Sequence, residues 1–140
     1  MKVIIIIPLL LTFYLSAQSI QDNVSLNNDF VLLLNEYRKQ NGLDPVVLDD
    51  ASIYRAKLQA QHCAKIKDLT HDCPAWFPFR WAENGLWNGG SDARGCLEQW
   101  IKSPGHNKNL LLDSATKIGI YGVEGYYDGY WGYYAVLVIN

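Results

Sequence analysis

Apolar residues follow three regimes along the chain: a near-unbroken run at the start, stripes at helical spacing through the middle, and a dense β-branched and aromatic stretch at the end. Phe30, Leu33, Leu34 and Tyr37 recur at i, i+3, i+4 and i+7, which predicts a helix with one buried stripe. Asn28 or Asp29 opens it by accepting from an unpaired backbone N–H, and Gly42 closes it in the left-handed conformation. A short extended link, Val46 to Leu48, leads to a second helix capped by Asp49 or Asp50. Its inner stripe is Ile53, Ala56, Ala60 and Cys63, small enough for close packing. Residues 69–90, rich in Pro and Gly, read mostly as loop, and a loop that long inside a compact domain usually carries function. Ser91 then caps a third helix with Ala93, Cys96, Leu97 and Trp100 on one face. Pro104 and Gly105 end it, and a helical turn follows from Asn107 to Leu111.

The last quarter holds two strand-like runs, Lys117–Val123 and Tyr130–Ile139, around a turn at Gly125–Gly129. Alternation along the final run leaves both faces apolar, so helices must cover the sheet on both sides. The expected fold is α+β: a three-layer α-β-α sandwich with a small antiparallel sheet.

The opening run reads as a secretory signal peptide over residues 1–18. Lys2 supplies the charge, Val3–Leu15 the apolar core, and Ser16-Ala17-Gln18 the small-residue cleavage zone. The core is shorter than the roughly 20 residues a helix needs to cross a bilayer, so no transmembrane segment is expected in the mature form. Residues 19–27 are polar and read as a flexible segment, leaving 28–140 as one domain. The expected location is secreted, either periplasmic or extracellular.

Composition adds exclusions. With 49% hydrophobic residues the chain is not disordered, and 12 Lys+Arg against 14 Asp+Glu provide no basic field for nucleic acid. Three cysteines in an oxidising compartment, Cys63, Cys73 and Cys96, imply one disulfide and one remaining thiol, with all three pairings open. No C-x-x-C pair supports a redox motif or a zinc ribbon.

Chemistry concentrates in Thr70-His71-Asp72, Ala82-Glu83-Asn84-Gly85 and the run from Ser103-Pro104-Gly105-His106 to Leu111. Together with Leu34-Asn35-Glu36-Tyr37-Arg38 and Trp100 ahead of Ser103, these ordered blocks resemble the SCP domain of the CAP superfamily. That family comprises cysteine-rich secretory proteins, antigen 5 and pathogenesis-related 1 proteins, and the bacterial-type members look most similar. The resemblance spans about residues 28–140. It implies an α-β-α sandwich with a central cleft lined by His71, Glu83 and His106, in which His71 and His106 hold zinc or another divalent cation. The second cleft acid that many members carry after the third-helix tryptophan is missing, because Ile101, Lys102 and Ser103 follow Trp100. Glu98, two residues before it, is the substitute candidate.

Apart from the resemblance, two imidazoles and a carboxylate suit Zn²⁺, and a bound water could act as a nucleophile. The competing reading is a buried cluster in which Glu83 bridges both imidazoles and merely braces the loop. His62, near the end of the second helix, reads as a partly exposed side chain favoured by the helix dipole. Asn84 and Asn109 read as loop braces. Tyr126, Tyr127, Tyr130 and Trp131 could stack on carbohydrate, though packing is the commoner role for such residues. The functional expectation is a non-enzymatic cleft that binds a divalent metal and a small ligand, a lipid or an extracellular protein partner. A metal-dependent hydrolase at the same cleft is the first alternative, although neither G-x-S-x-G nor H-E-x-x-H is present. An extracellular interaction module using Trp76, Trp81 and Trp87 is the second.

Overall fold

The computed structural model describes residues 7–74, 81–88 and 92–140, with side chains described from Asp22 onward except Asn88. Its elements are α1 (Ile7–Gln40), β1 (Val47–Leu48), α2 (Asp50–Ile66), β2 (Ala82–Asn88), α3 (Ala93–Lys102), α4 (Pro104–Leu110), β3 (Lys117–Tyr127) and β4 (Tyr130–Ile139). The sheet order is β1-β3-β4-β2. β2, β3 and β4 are antiparallel, as expected, while the residues read as an extended link add β1 in parallel to the outer edge of β3.

The two faces of β4 explain the layers. Ala135, Leu137 and Ile139 join Phe30, Leu34, Leu97 and Trp100 in a core beneath α1 and α3, where Phe30 and Trp100 meet edge-on at 5.6 Å. Val136 and Val138 point the other way, onto Ala56 and Ala60 of α2. The helix can lie this close because β3 carries Gly119, where a Cβ would sit 2.1 Å from the Ile53 backbone nitrogen. Asp49 caps α2, accepting from both the N–H and the hydroxyl of Ser52, and these bonds hold its carboxylate below the usual range.

The N-terminal expectation is corrected. Positions 1–6 of the proposed leader lie outside the described residues, but the segment read as flexible, 19–27, is continuous helix within α1. Asn23 and Asn27 are the reason. The outer edge of β3 presents its carbonyls at alternate residues: Val47 N–H donates to Thr116 and Asp49 N–H to Ile118. Where β1 stops, side chains continue the ladder. Asn27 donates to the Ile120 carbonyl and accepts from its N–H, and Asn23 does the same at Gly122. Four helical residues advance about 6 Å and two strand residues about 6.8 Å, so asparagines at i and i+4 match alternate strand positions. The C-terminal end of α1 follows expectation, with Gly42 at φ 74° and Leu43 N–H bonded back to the Arg38 carbonyl.

Other boundaries shift. Part of the expected loop is strand β2. The position of Ser91 lies outside the described residues, and Asp92 caps α3 by accepting from Gly95 N–H. Pro104 does not merely end α3 but occupies the first turn of α4, where its missing N–H costs nothing. The last turn narrows to Asp128-Gly129, both at positive φ, the pair that a two-residue hairpin with right-handed twist requires.

The expected disulfide does not form: Cys63, Cys73 and Cys96 are all buried thiols. Cys96 belongs to the core under α1 and α3, whereas Cys73 packs in the α2 layer across the sheet. Gln59 takes contacts from the other two, donating to Cys63 Sγ and accepting from Cys73 N–H. Burial pushes the Cys63 thiol pKa up, which keeps it protonated.

Asn27→Ala strands the N–H and C=O of Ile120 and should cost about 2–4 kcal/mol in chemical denaturation. Asn28→Ala, at its exposed neighbour, should change stability by less than about 0.5 kcal/mol. Equal small effects would overturn the ladder assignment.

Candidate functional site

His71 lies on the loop after α2, and Gln59 grips that loop on both sides of it. Fully buried on α2, Gln59 donates to the Thr70 carbonyl and accepts from Cys73 N–H at 3.0 Å. The facing surface comes from β2. Glu83 and Gly85 alternate onto one face of that strand. Glu83 Oε1 is 2.6 Å from His71 Nδ1, and Gly85 packs under the loop, where a Cβ would come within 3.2 Å of Leu69 Cδ1 and only touch His71 Cε1 at 3.8 Å. Trp100 Nε1 donates to the Gly85 carbonyl, tying this stretch to α3.

Asn84 points to the opposite face and secures the second histidine. Its Nδ2 donates to the His106 carbonyl at 3.0 Å, and its Oδ1 accepts from Asn109 Nδ2 at 2.9 Å. Asn109 also reaches the Glu83 carbonyl at 3.3 Å. These bonds fasten α4 along the edge strand β2, so His71, Glu83 and His106 straddle that edge. Asn84 and Asn109 are thus the braces they were expected to be. Two further positioning residues are Tyr37 and Arg38, which the sequence reading placed on the first helix without a role at the site. Tyr37 donates its hydroxyl to Asn107 at 2.9 Å, and Arg38 donates to the carbonyls of Leu110 and Leu112 at the end of α4. A signal was present: Arg38 follows Phe30 and Leu34 at spacings of four, on the buried stripe.

The environment drives the two imidazoles apart. The hydrogen bond to Glu83 raises the His71 pKa, against a lowering from burial. Burial lowers the His106 pKa, and the charge on His71 lowers it further. The Glu83 side chain is only 6% exposed against 56% for His71, and its second oxygen, Oε2, is buried with no donor. Glu83 therefore pairs with one imidazole and does not bridge two.

The remaining candidates lie elsewhere. Glu98 is exposed on α3 and lines a groove with Leu33, Tyr37 and Ile101, because Ala93, Cys96, Leu97 and Trp100 take the buried face. His62 Nε2 stands 3.5 Å from Asp72. Of the proposed aromatic platform, Tyr127 packs on Trp87, while Tyr126, Tyr130 and Trp131 are exposed at the hairpin tip. Trp76 lies outside the described residues; Trp81 sits beneath the Arg55 guanidinium at 3.3 Å and Trp87 packs on Tyr127. Among the described residues no hydrogen bond joins Ser103 to His106.

Among the described residues no three His, Cys, Asp or Glu side chains gather closely enough to hold a metal ion. The available donors are two imidazoles. His71 offers Nε2, since Nδ1 faces Glu83, the arrangement by which outer carboxylates orient ligating histidines. This set fits an ion with open positions rather than a closed four-ligand centre.

The two histidines should titrate on opposite sides of an ordinary imidazole when followed by NMR, His71 above and His106 below. The His71–Glu83 pairing stabilises the fold fully below the unfolded imidazole pKa and fades as pH rises through the raised folded value. Glu83→Gln should return the His71 midpoint towards normal, and an unmoved midpoint would refute Glu83 as the cause.

Comparison with known proteins places this geometry in a family. Solved structures of similar fold include an outer surface protein from Borrelia burgdorferi (TM-score 0.59, 19% identity, covering 81% of this chain and 90% of that one). Another is an extracellular protein containing a SCP domain from Bacillus anthracis (TM-score 0.60, 21% identity, 89% and 43%). A third is a cysteine-rich secretory protein from Staphylococcus aureus (TM-score 0.54, 19% identity, 83% and 40%). The chain thus spans less than half of the last two. A sequence comparison with curated proteins gives no significant match. The CAP model, described as the cysteine-rich secretory protein family, matches residues 31–139, and the chain belongs to that family.

Proposed function

We propose that this CAP-domain chain is exported and that its His71–Glu83–His106 cleft binds a divalent metal ion, zinc foremost, in order to hold a small ligand or partner rather than to turn over a substrate. The observation that carries the reading is the Glu83 carboxylate: buried, committed through Oε1 to His71 Nδ1, and left with an unused acceptor in Oε2. Among the described residues Oε2 has no donor, which leaves it able to accept from a water or ligand beside His71. His71 would contribute Nε2 and His106 an imidazole whose neutral form is favoured by burial. A bound ion would supply Lewis acidity and open positions for a ligand's oxygen or nitrogen atoms. Glu83 orients the His71 ring, and Asn84 and Asn109 hold the strand and helix that carry the set. Export is supported by the leader pattern of Lys2, Val3–Leu15 and Ser16–Gln18. Among the described residues no helix is long and apolar enough to cross a membrane.

Calorimetric titration with zinc should show uptake near one equivalent. His71→Ala and His106→Ala should each weaken it by more than about tenfold, and Glu83→Gln by roughly 10–100-fold as an outer-sphere partner. Acidification should weaken binding, because a proton competes for His71 Nε2 and the raised pKa starts that competition above the usual imidazole range. A folded wild type that takes up no zinc, or uptake unchanged in both histidine variants, would sink the proposal.

A further inference from the structure

A second concavity, of about 430 Å³, opens between α1 and α2 and shares no residue with the histidine cleft. That volume suits a small molecule. Leu48, Ile53 and Tyr121 form its apolar floor, and Val24 and Tyr54, 49% and 60% exposed, form its rim.

The polar groups around it differ in what they can still offer. Asn23 and Asn27 face the groove, but their amides are bonded to the backbone of β3. Asn28 and the hydroxyls of Tyr54 and Tyr121 have no hydrogen bond, and Lys57 is in no ion pair, among the described residues. The Lys57 ammonium stands 5.9 Å from the centre of the Tyr121 ring. Burial raises the Tyr121 pKa, so its phenol stays a donor. One carboxylate, Asp50, also lines the groove. It precedes Lys57 by two turns of α2, about 10 Å along the axis. The groove is therefore apolar in its floor, cationic at one end and anionic at the other.

We propose that this groove binds a small amphipathic monoanion, a carboxylate on an apolar body of one or two rings, with the carboxylate at Lys57 and the body on Leu48, Ile53 and Tyr121. Lys57 selects for one negative charge, and Asp50 at the far end selects against a second.

The test is an NMR titration of the full-length chain with 2-naphthoate, run beside the neutral 2-naphthylmethanol and the dianionic 2,6-naphthalenedicarboxylate. The proposal expects 2-naphthoate to shift the amides of Ile53, Tyr54, Lys57 and Tyr121, with both analogues about tenfold weaker. Lys57→Met, which keeps the apolar stem, should abolish the preference for acid over alcohol, and Lys57→Gln should do the same. His71→Ala should leave 2-naphthoate binding unchanged, which separates this site from the metal cleft. Equal binding of acid and alcohol, a preference that survives both Lys57 variants, or shifts outside the groove would each overturn the assignment.

Discussion

The arrangement of this molecule depends on one buried cation. Arg38 is fully buried on the inner stripe of α1, and among the described residues no carboxylate lies within ion-pairing distance of it. Its donors go to backbone carbonyls: Asp44 from Nε, Leu110 and Leu112 from Nη1, and Ala115 from Nη2. Burial lowers its pKa, and the more distant charges of Asp113 and Asp44 oppose that shift. Such a group is stable only while every carbonyl stays in place, and breaking a buried charge arrangement typically costs about 3–5 kcal/mol. Arg38 therefore fixes the chain after α1, the C-terminal end of α4 and the approach to β3 together. The Leu110 carbonyl ends α4, so the guanidinium also meets the negative end of that helix dipole. Through α4 the constraint reaches His106.

Both edges of the sheet meet the same problem and solve it with the same chemistry. An edge strand with bare N–H and C=O groups invites pairing with another chain. At the β3 edge the short β1 covers two residues, and Asn27 and Asn23 of α1 continue the bonding pattern. Asn35 bonds both backbone groups of Val46 just before β1. At the β2 edge, Asn109 of α4 takes the Glu83 carbonyl. An asparagine amide imitates a peptide group, offering N–H donors and a carbonyl acceptor in one plane. Helices can thus lie along strand edges without a further strand. The His71–Glu83 pair sits at one of these amide-covered edges and the groove between α1 and α2 at the other.

These devices mark where the sequence stops being legible. Helical stripes such as Phe30–Leu34 and Ala93–Trp100 announce themselves because burial and apolarity coincide there. Asn23 and Asn27 break that coincidence: polar in the sequence and buried in the fold, they made residues 19–27 look flexible. β2 was hidden for a related reason, since Glu83, Asn84 and Gly85 are poor strand formers placed there by their contacts. Cysteine parity misled because counting does not show that Cys96 lies across the sheet from Cys73, or that Cys63 and Cys73, both hydrogen-bonded to Gln59 on the α2 side, stay separate thiols. The histidines and Glu83 carry no periodic signal, and only the resemblance of ordered blocks brought them together. Glu98, two residues from Trp100, lies on the exposed side of α3, in the groove that Tyr37 also lines.

The histidine-bearing segments are held in place by neutral groups. Gln59 holds the loop on both sides of His71, and Asn84 and Asn109 bind α4 to β2, none of them titratable. Most of their bonds are directed at backbone atoms and none involves an ionisable oxygen, so they persist whatever the protonation of His71. The titratable groups are then free to respond: the His71 pKa rises, that of His106 falls, and Glu83 keeps an oxygen unspent. A scaffold fixed by amides and a site tuned by two imidazoles are separable, and a fold so divided can change its ligand without changing its frame.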